Sequence, residues 1–277
     1  MLVDFHMHSV YSDGIETPKE LLRHALDCNV SMMALTDHDE TDGIKALRTA
    51  QQELDPHETI KIINGCEFSA DYKDKSIHIL GYCFDENNKE LNEFITFFKR
   101  KREERVDEMI RRCNIEGYHI TKEDLIKQFP DTKAYGRPHI GKLLIDGGYA
   151  KDVNEVFRGI LRKDSPCYVP KVKVEVQHII DIIHKAGGFA VMAHPKLVSS
   201  DEYVLEMLDF DFDGIEVYHS KHNDIDVERY KALAKKHKLF ITGGSDYHGI
   251  PGKEPDNFGD YLVSGNDAVS YTHLRAH

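Results

Sequence analysis

The chain begins with two histidines at a spacing that suits metal binding. His6 and His8 follow an apolar run and are separated by one residue. Because successive side chains of a strand point to opposite faces, the two imidazoles point the same way. Asp13 follows in a loop that Gly14 allows to turn sharply. A single pair of histidines is weak evidence, since both can be solvated, so the prediction of a metal site depends on whether the pattern recurs.

The pattern recurs at the ends of later apolar runs. The further polar residues at or just after predicted strand ends are His38, Glu67, His78, His194, Asp246 and His248. The carboxyl ends of the strands carry the chemistry in α/β barrels. Six histidines and three carboxylates on one rim are hard to explain as packing, because unpaired buried polar groups are costly. Imidazole and carboxylate ligands without thiolates suit zinc, manganese or iron, in a cluster of two or three ions.

The elements that must position these residues alternate between strand and helix. Apolar runs predict strands at residues 2–8, 31–36, 59–65, 76–82, 189–194, 214–218 and 239–244. Amphipathic segments predict helices between them, at residues 17–26, 44–54, 176–185 and 227–236. This alternation favours an α/β fold with a largely parallel sheet.

The alternation lapses between residues 86 and 170. Apolar residues recur at helical spacing from 91 to 113 and predict a long amphipathic helix. Shorter helices are expected at 121–129, 138–146 and 153–161. Because the barrel pattern then resumes, we predict a helical insertion subdomain, 86–170, within a discontinuous barrel domain, 1–85 and 171–267. Residues 268–277 have no helix or strand period and resemble translated adapter sequence, so we interpret them as a non-native tail.

Composition and charge narrow the class of protein. The chain has 277 residues, 40% hydrophobic and 30% charged, with a formal net charge of −12. A surface for long nucleic acid normally shows a basic stripe, whereas the basic residues of 99–112 are interleaved with acidic ones. No apolar run has the length of a membrane span. Five cysteines without a C-x-x-C pattern argue against a disulfide framework, and the start lacks a signal peptide, so we expect a cytoplasmic protein.

The motifs together resemble those of the polymerase and histidinol phosphatase (PHP) superfamily. The resemblance rests on His6-Met7-His8, Ser12-Asp13-Gly14, Thr36-Asp37-His38, Glu67, His78, Ala193-His194-Pro195 and Ser245-Asp246-Tyr247-His248. It implies a distorted seven-stranded (β/α)7 TIM-like barrel with a metal site that hydrolyses phosphate esters. A metal-activated water would be the nucleophile, with no protein nucleophile.

The resemblance also implies how the metal ligands divide into groups. One ion would be held by His6, His8, Glu67 and Asp246. A second would be held by Glu67, as a bridge, with His78 and His194. A third would be held by Asp13, His38 and His248. Two or three divalent ions are thus expected, with manganese preferred over zinc or iron.

A motif in the insertion indicates a branch of the superfamily. Gly136-Arg137-Pro138-His139-Ile140 resembles a signature of small members that dephosphorylate nucleoside 3′,5′-bisphosphates or trim the 5′ end of short RNA. Arg137 would offer a planar fork of donors to a phosphate. His139 and His222 are expected to line the same pocket. The structural alternatives are an ion pair at a helix start for Arg137 and solvated loops for the histidines.

Three other functions remain possible from the sequence. A histidinol-phosphate phosphatase would share the fold and chemistry but not the Arg137 motif. A metal-dependent amidohydrolase would typically need a bridging lysine, and no lysine follows a predicted strand suitably. A non-catalytic PHP scaffold would be expected to lose metal ligands, and none is missing. We therefore expect a small phosphorylated partner, a nucleotide or short RNA end, and neither a long nucleic-acid surface nor a membrane.

Overall fold

A computed structural model describes residues 1–73 and 75–264 of the chain, so the predicted tail at 268–277 lies outside the described residues. The strands of the described part are β1 Leu2–Asp4, β2 Val30–Leu35, β3 Lys61–Tyr72, β4 Lys75–Tyr82, β5 Phe189–Met192, β6 Gly214–His219, β7 Phe240–Gly244 and β8 Val263–Ser264. The predicted strands are all present, and the short β8 is additional.

Helices surround these strands. They are α1 Pro18–Asp27, α2 Asp42–Leu54, α3 Lys89–Ile115, α4 Lys122–Gln128, α5 Arg137–Asp146, α6 Val153–Arg158, α7 Val176–Lys185, α8 Asp201–Met207 and α9 Asp224–His237. Thr17 and Glu20 form a reciprocal capping box at the start of α1, as their spacing indicates. Helix α8 was not predicted from the sequence. Within the described residues, no helix combines the length and apolar character required to cross a membrane.

The strands form one sheet that nearly closes on itself. Their order is β7-β6-β5-β4-β3-β2-β1-β8 among the described residues. The backbone N–H of Asp246 donates to the carbonyl of His6 at 2.8 Å, and that of His8 donates to Tyr247 at 2.8 Å. These bonds join the loop after β7 to the segment after β1. The predicted distorted TIM-like α/β barrel is therefore confirmed.

The predicted sheet is largely parallel, but β4 and the short β8 are antiparallel to their neighbours. β4 is antiparallel to both β3 and β5, whereas β1–β2, β2–β3, β5–β6 and β6–β7 are parallel pairs. The amino-terminal half of β4 therefore reaches the rim where the parallel strands end. His78 lies in that half, so the expectation that every ligand follows a carboxyl strand end is wrong for His78. It is also wrong for Glu67, because pairing with β4 extends β3 to Tyr72.

The helical segment between β4 and α7 has a core of its own. Its buried apolar residues are Val106, Met109, Ile110, Cys113, Ile120, Leu125, Ile140, Leu143, Leu144, Val156, Leu161 and Cys167. The first half of α3 instead packs Leu91, Phe94 and Phe98 into the core around the barrel. This division supports our proposal that residues 86–170 form an insertion subdomain anchored by α3.

Candidate metal centre

The rim of the barrel brings the predicted ligand residues together. His6 and His8 each direct Nε2 at the carboxylates of Glu67 and Asp246. His8 Nε2 lies 3.2 Å from both Glu67 Oε2 and Asp246 Oδ1, and the corresponding distances for His6 are 3.4 and 3.5 Å. One ligand atom from each of these residues lies within 4.8 Å of the others, which is a spacing that one ion can bridge.

Glu67 lies at the centre of the rim. Its Oε1 is 2.8 Å from His78 Nδ1 and 2.9 Å from His194 Nε2. Its Oε2 is 3.0 Å from His38 Nδ1, in addition to its contacts with His6 and His8. Its two oxygens thus face separate sets of imidazoles, which is the arrangement that a bridging carboxylate requires.

Asp13 gathers a further group of ligands. Its Oδ1 lies 3.3 Å from His248 Nε2 and 3.8 Å from both His38 Nε2 and His8 Nδ1. These atoms also lie within 4.8 Å of one another. The structure therefore brings together the three sets of residues that the family resemblance implied, with His8 as an additional neighbour of the Asp13 set.

The ligand atoms of the rim are better satisfied by metal ions than by hydrogen bonds to one another. Buried atoms without a hydrogen-bond partner among the described residues include His6 Nε2, both ring nitrogens of His8, Asp13 Oδ1, His38 Nδ1, Glu67 Oε2 and His248 Nε2. Buried polar atoms in folded proteins are nearly always paired. Imidazole nitrogens and carboxylate oxygens are suitable ligands for divalent transition metals, which would satisfy all of these atoms at once.

The charges of the rim are strongly coupled. Burial acts to raise the pKa of Glu67, but His78, His38 and His6 hold that pKa well below its usual value. Burial acts to lower the pKa of His6, but Glu216 and Glu67 hold it well above its usual value. Burial lowers the pKa of His38 well below its usual value. The surroundings of Glu67 therefore favour the ionised form of its carboxyl group.

Two buried aspartates fix the loops that carry the ligands. Asp37 accepts hydrogen bonds from Ser9 N (2.8 Å), Ser9 Oγ (2.7 Å) and Ser12 Oγ (2.6 Å). Asp4 accepts hydrogen bonds from Ser245 N (2.9 Å) and Ser245 Oγ (2.6 Å). Burial raises the pKa of Asp4 to about 6, although the bonds from Ser245 oppose the rise. These bonds hold the loops after β1 and β7 at fixed positions on the rim.

Two glycines allow the close approach of these loops. A Cβ at Gly14 would lie 2.3 Å from the carbonyl oxygen of His8. A Cβ at Gly244 would lie 2.4 Å from the Cβ of His6. A side chain at either position would displace the segment that carries the first two histidines.

Two residues beneath the rim, Glu216 and His219, were not predicted from the sequence. Glu216 Oε1 lies 3.0 Å from His6 Nδ1, and Glu216 Oε2 accepts a hydrogen bond from the backbone N–H of His194 at 2.8 Å. His219 Nε2 lies 3.5 Å from Asp246 Oδ2. A shift in register after Glu216 allows both side chains to face the same region. The available signal was a glutamate inside a buried strand, which needs a partner.

A cavity of about 840 Å³ is lined both by residues of the rim and by residues of the insertion. Arg137, the first residue of α5, lines this cavity. Its guanidinium carbon lies 4.6 Å from the ring centroid of Phe157 and 6.0 Å from that of Tyr168. It forms no ion pair with any described residue, so the alternative of an ion pair at a helix start is not observed.

His139 and His222 lie outside the lining of this cavity. His139 is buried, and its Nδ1 accepts a hydrogen bond from the backbone N–H of Gly136 at 3.0 Å, which caps α5. His222 Nδ1 lies 2.8 Å from the carbonyl oxygen of Val217, and burial lowers the pKa of His222 to about 4. The expectation that both rings line the pocket is therefore corrected: both are packed within the protein.

Comparison with known proteins identifies the family. The PHP domain family matches residues 4–190. The chain is 30% identical over 256 residues to the 3′,5′-nucleoside bisphosphate phosphatase of Chromobacterium violaceum, covering 91% of this chain and 88% of the relative. It is 29% identical to the 5′-3′ exoribonuclease Rnm of Escherichia coli, covering 90% and 85%. It is 28% identical to the phosphoribosyl 1,2-cyclic phosphate 1,2-diphosphodiesterase of Eggerthella lenta, covering 92% and 97%.

Solved structures agree with these relatives. A structure described as a metal-dependent phosphoesterase from Bifidobacterium adolescentis superposes with a TM-score of 0.83 at 29% identity, covering 96% of this chain and 93% of the other. A structure described as an amidohydrolase from Chromobacterium violaceum, with bound sulfate and no metal, has the same TM-score and identity, covering 95% and 91%. The chain therefore belongs to the PHP domain family and is a metal-dependent phosphoesterase.

Proposed function

We propose that this protein hydrolyses a phosphate monoester of a nucleotide, either a nucleoside 3′,5′-bisphosphate or the 5′ end of a short RNA. The proposal rests on the side chains that line one cavity. Unpartnered imidazole and carboxylate atoms lie on its floor, and the unpaired guanidinium of Arg137 lies on its wall. The bisphosphatase and the exoribonuclease among the reported relatives support this choice of substrate class.

The proposed metal ligands are the nine rim residues. His6, His8, Glu67 and Asp246 would hold one ion, Glu67 with His78 and His194 a second, and Asp13, His38 and His248 a third. We propose manganese as the preferred metal, with zinc and iron as alternatives. Bound divalent ions lower the pKa of coordinated water and neutralise phosphate oxygens.

The side chains of the chain then have separate tasks. Glu67 supplies negative charge to two ligand groups at once. Glu216 accepts a hydrogen bond from His6 Nδ1–H, which leaves Nε2 free to face the rim. Arg137 binds phosphate oxygens through its fork of donors, while its stack on Phe157 limits its rotation. We assign no role in substrate contact to His139 or His222.

The wall of the cavity argues against histidinol phosphate as the substrate. Histidinol phosphate carries an ammonium group, whereas the insertion side of the cavity presents Arg102, Arg105, Arg137 and Lys171. A second phosphate is the more compatible group, because these side chains attract anions and repel an amine.

A substrate panel tests the proposed function. Purified enzyme with Mn²⁺, Zn²⁺ or Fe²⁺ would be assayed on adenosine 3′,5′-bisphosphate, 5′-phosphorylated oligoribonucleotides, adenosine monophosphates and histidinol phosphate. We expect the highest kcat/KM on one of the first two. A preference for histidinol phosphate, or hydrolysis of none of these esters with any of the metals, would overturn the proposal.

A further inference from the structure

Cationic side chains crowd the insertion side of the cavity, although the chain as a whole carries a net charge of −12. Arg102 and Arg105 project from α3, Arg137 begins α5, and Lys171 follows the insertion. We call these residues the cation cluster. Seven of the nine predicted metal ligands line the same cavity: Asp13, His38, Glu67, His78, His194, Asp246 and His248. A molecule in the cavity can therefore face the rim at one end and the cation cluster at the other.

Most of the charge of the cation cluster is uncompensated. Arg102 is paired with the buried carboxylate of Asp39, to which both Nε and Nη2 donate. Among the described residues, by contrast, the other members of the cluster form no ion pair. Arg105 Nε donates to the carbonyl of Val169 at 2.8 Å, and Lys171 Nζ donates to Ser76 Oγ at 3.4 Å. Arg105 and Lys171 therefore donate to neutral oxygen atoms rather than to carboxylates.

The members of the cluster repel one another. Burial, with Arg102 and Arg137 adding to it, lowers the pKa of Arg105 to about 10. Burial, with Arg102 and Arg105 adding to it, lowers the pKa of Lys171 to about 8, although Asp39 and Asp71 oppose this. Unpaired cations held close together in a partly buried site are unfavourable unless an anion binds between them.

We propose that the cation cluster is a second phosphate subsite, which holds the phosphate that is not hydrolysed, with Lys171 as a residue that determines specificity for substrates with two phosphates. This inference rests on the proposed function, because it assumes that the other phosphate reacts at the rim. The guanidinium carbons of Arg105 and Arg137 lie 5.8 and 6.0 Å from the ring centroid of Tyr168, so both groups lie beside the same aromatic side chain.

The test compares Lys171→Met with a matched control, Lys73→Met. Both substitutions remove one lysine charge from the lining of the cavity. The ammonium of Lys73, however, is already paired with Glu206 Oε2 at 2.6 Å, and its side chain is 43% exposed. Metal-loaded wild type and both variants would be assayed on adenosine 3′,5′-bisphosphate and on p-nitrophenyl phosphate, which lacks a second phosphate. Calorimetry would measure binding of adenosine 3′,5′-bisphosphate to chelator-treated protein.

For Lys171→Met we expect kcat/KM on the bisphosphate to fall at least tenfold and that on the aryl phosphate to change less than twofold. Its binding of the bisphosphate without metal should weaken at least tenfold, and the midpoint of thermal unfolding should rise, since a repelled cation is removed. Lys73→Met should match wild type on both substrates.

Two results would overturn the subsite. One is an equal loss on both substrates by Lys171→Met in a folded protein. The other is no loss on either substrate. If Lys171→Met did not fold, Arg105→Gln would be measured in the same way. Failure of wild type to hydrolyse any ester of the substrate panel, 5′-phosphorylated oligoribonucleotides included, would instead refute the proposed function, so the two failures are distinguishable.

Discussion

Replacement of Glu67 by glutamine is the sharpest perturbation of the metal centre. The substitution preserves the shape of the side chain and removes its negative charge. Both oxygens of Glu67 are buried, and imidazole nitrogens of five histidines lie within 3.4 Å of them. An amide nitrogen at either position would face imidazole nitrogens that are positioned for a carboxylate or a cation.

The magnitude follows from the loss of a buried charge. Removal of one partner from a buried ionic interaction costs about 3–5 kcal/mol. At about 1.4 kcal/mol for each factor of ten, metal affinity should fall by about 10² to 10³·⁵. Because Glu67 faces two ligand groups, Glu67→Gln should lower occupancy at more than one ion and reduce turnover at least as strongly.

Chelator competition would measure this effect on metal affinity, and steady-state kinetics would measure turnover. Glu206→Gln is a matched control, since Glu206 is a half-exposed glutamate whose ion pair with Lys73 lies outside the rim. We expect the control to bind metal within twofold of wild type. A folded Glu67→Gln enzyme with the metal content and turnover of wild type would show that Glu67 is not a bridging ligand.

Three further predictions concern the wall and the support of the site. Arg137→Ala should leave metal content unchanged and lower kcat/KM about 30- to 1,000-fold, which is equivalent to about 2–4 kcal/mol. Arg137→Lys should recover part of this loss, because lysine supplies the charge without the fork of donors. Equal kcat/KM in wild type and Arg137→Ala would mean that the arginine is structural. Glu216→Gln should weaken metal binding about 10- to 100-fold in chelator competition, because His6 loses its orienting carboxylate; an unchanged affinity would contradict this role. Binding of adenosine 3′,5′-bisphosphate to chelator-treated protein should weaken as the pH rises through about 8, because Lys171 is charged below its pKa and neutral above it. Calorimetry should show that the affinity of Lys171→Met lacks this dependence on pH.

The sequence predicted the architecture well where local patterns determine it. Thr17, Pro18 and Glu20 specify the start of α1, and the structure shows the reciprocal cap. The reversal of β4 was not predictable in this way, since strand periodicity is the same in either direction. The position of His78 on the rim is therefore explained by tertiary pairing rather than by the strand-end rule.

The supporting residues of the site were harder to infer than its ligands. The ligands carry recognisable spacings, such as that of His6 and His8. Glu216 acts through His6 from a strand far along the sequence, and a shift in register places it there. Burial lowers the pKa of Lys171, and Arg102 and Arg105, which lie on another element, add to this effect. Such effects depend on burial and distance, which periodicity does not encode.

Metal analysis of the active enzyme tests the central claim most directly. Purified protein would be measured for transition metals by mass spectrometry, assayed on adenosine 3′,5′-bisphosphate, treated with chelator, and assayed again after addition of Mn²⁺. We predict more than one equivalent of divalent metal per chain, loss of hydrolysis on chelation and recovery with Mn²⁺. Full activity in protein that contains no transition metal would contradict the account.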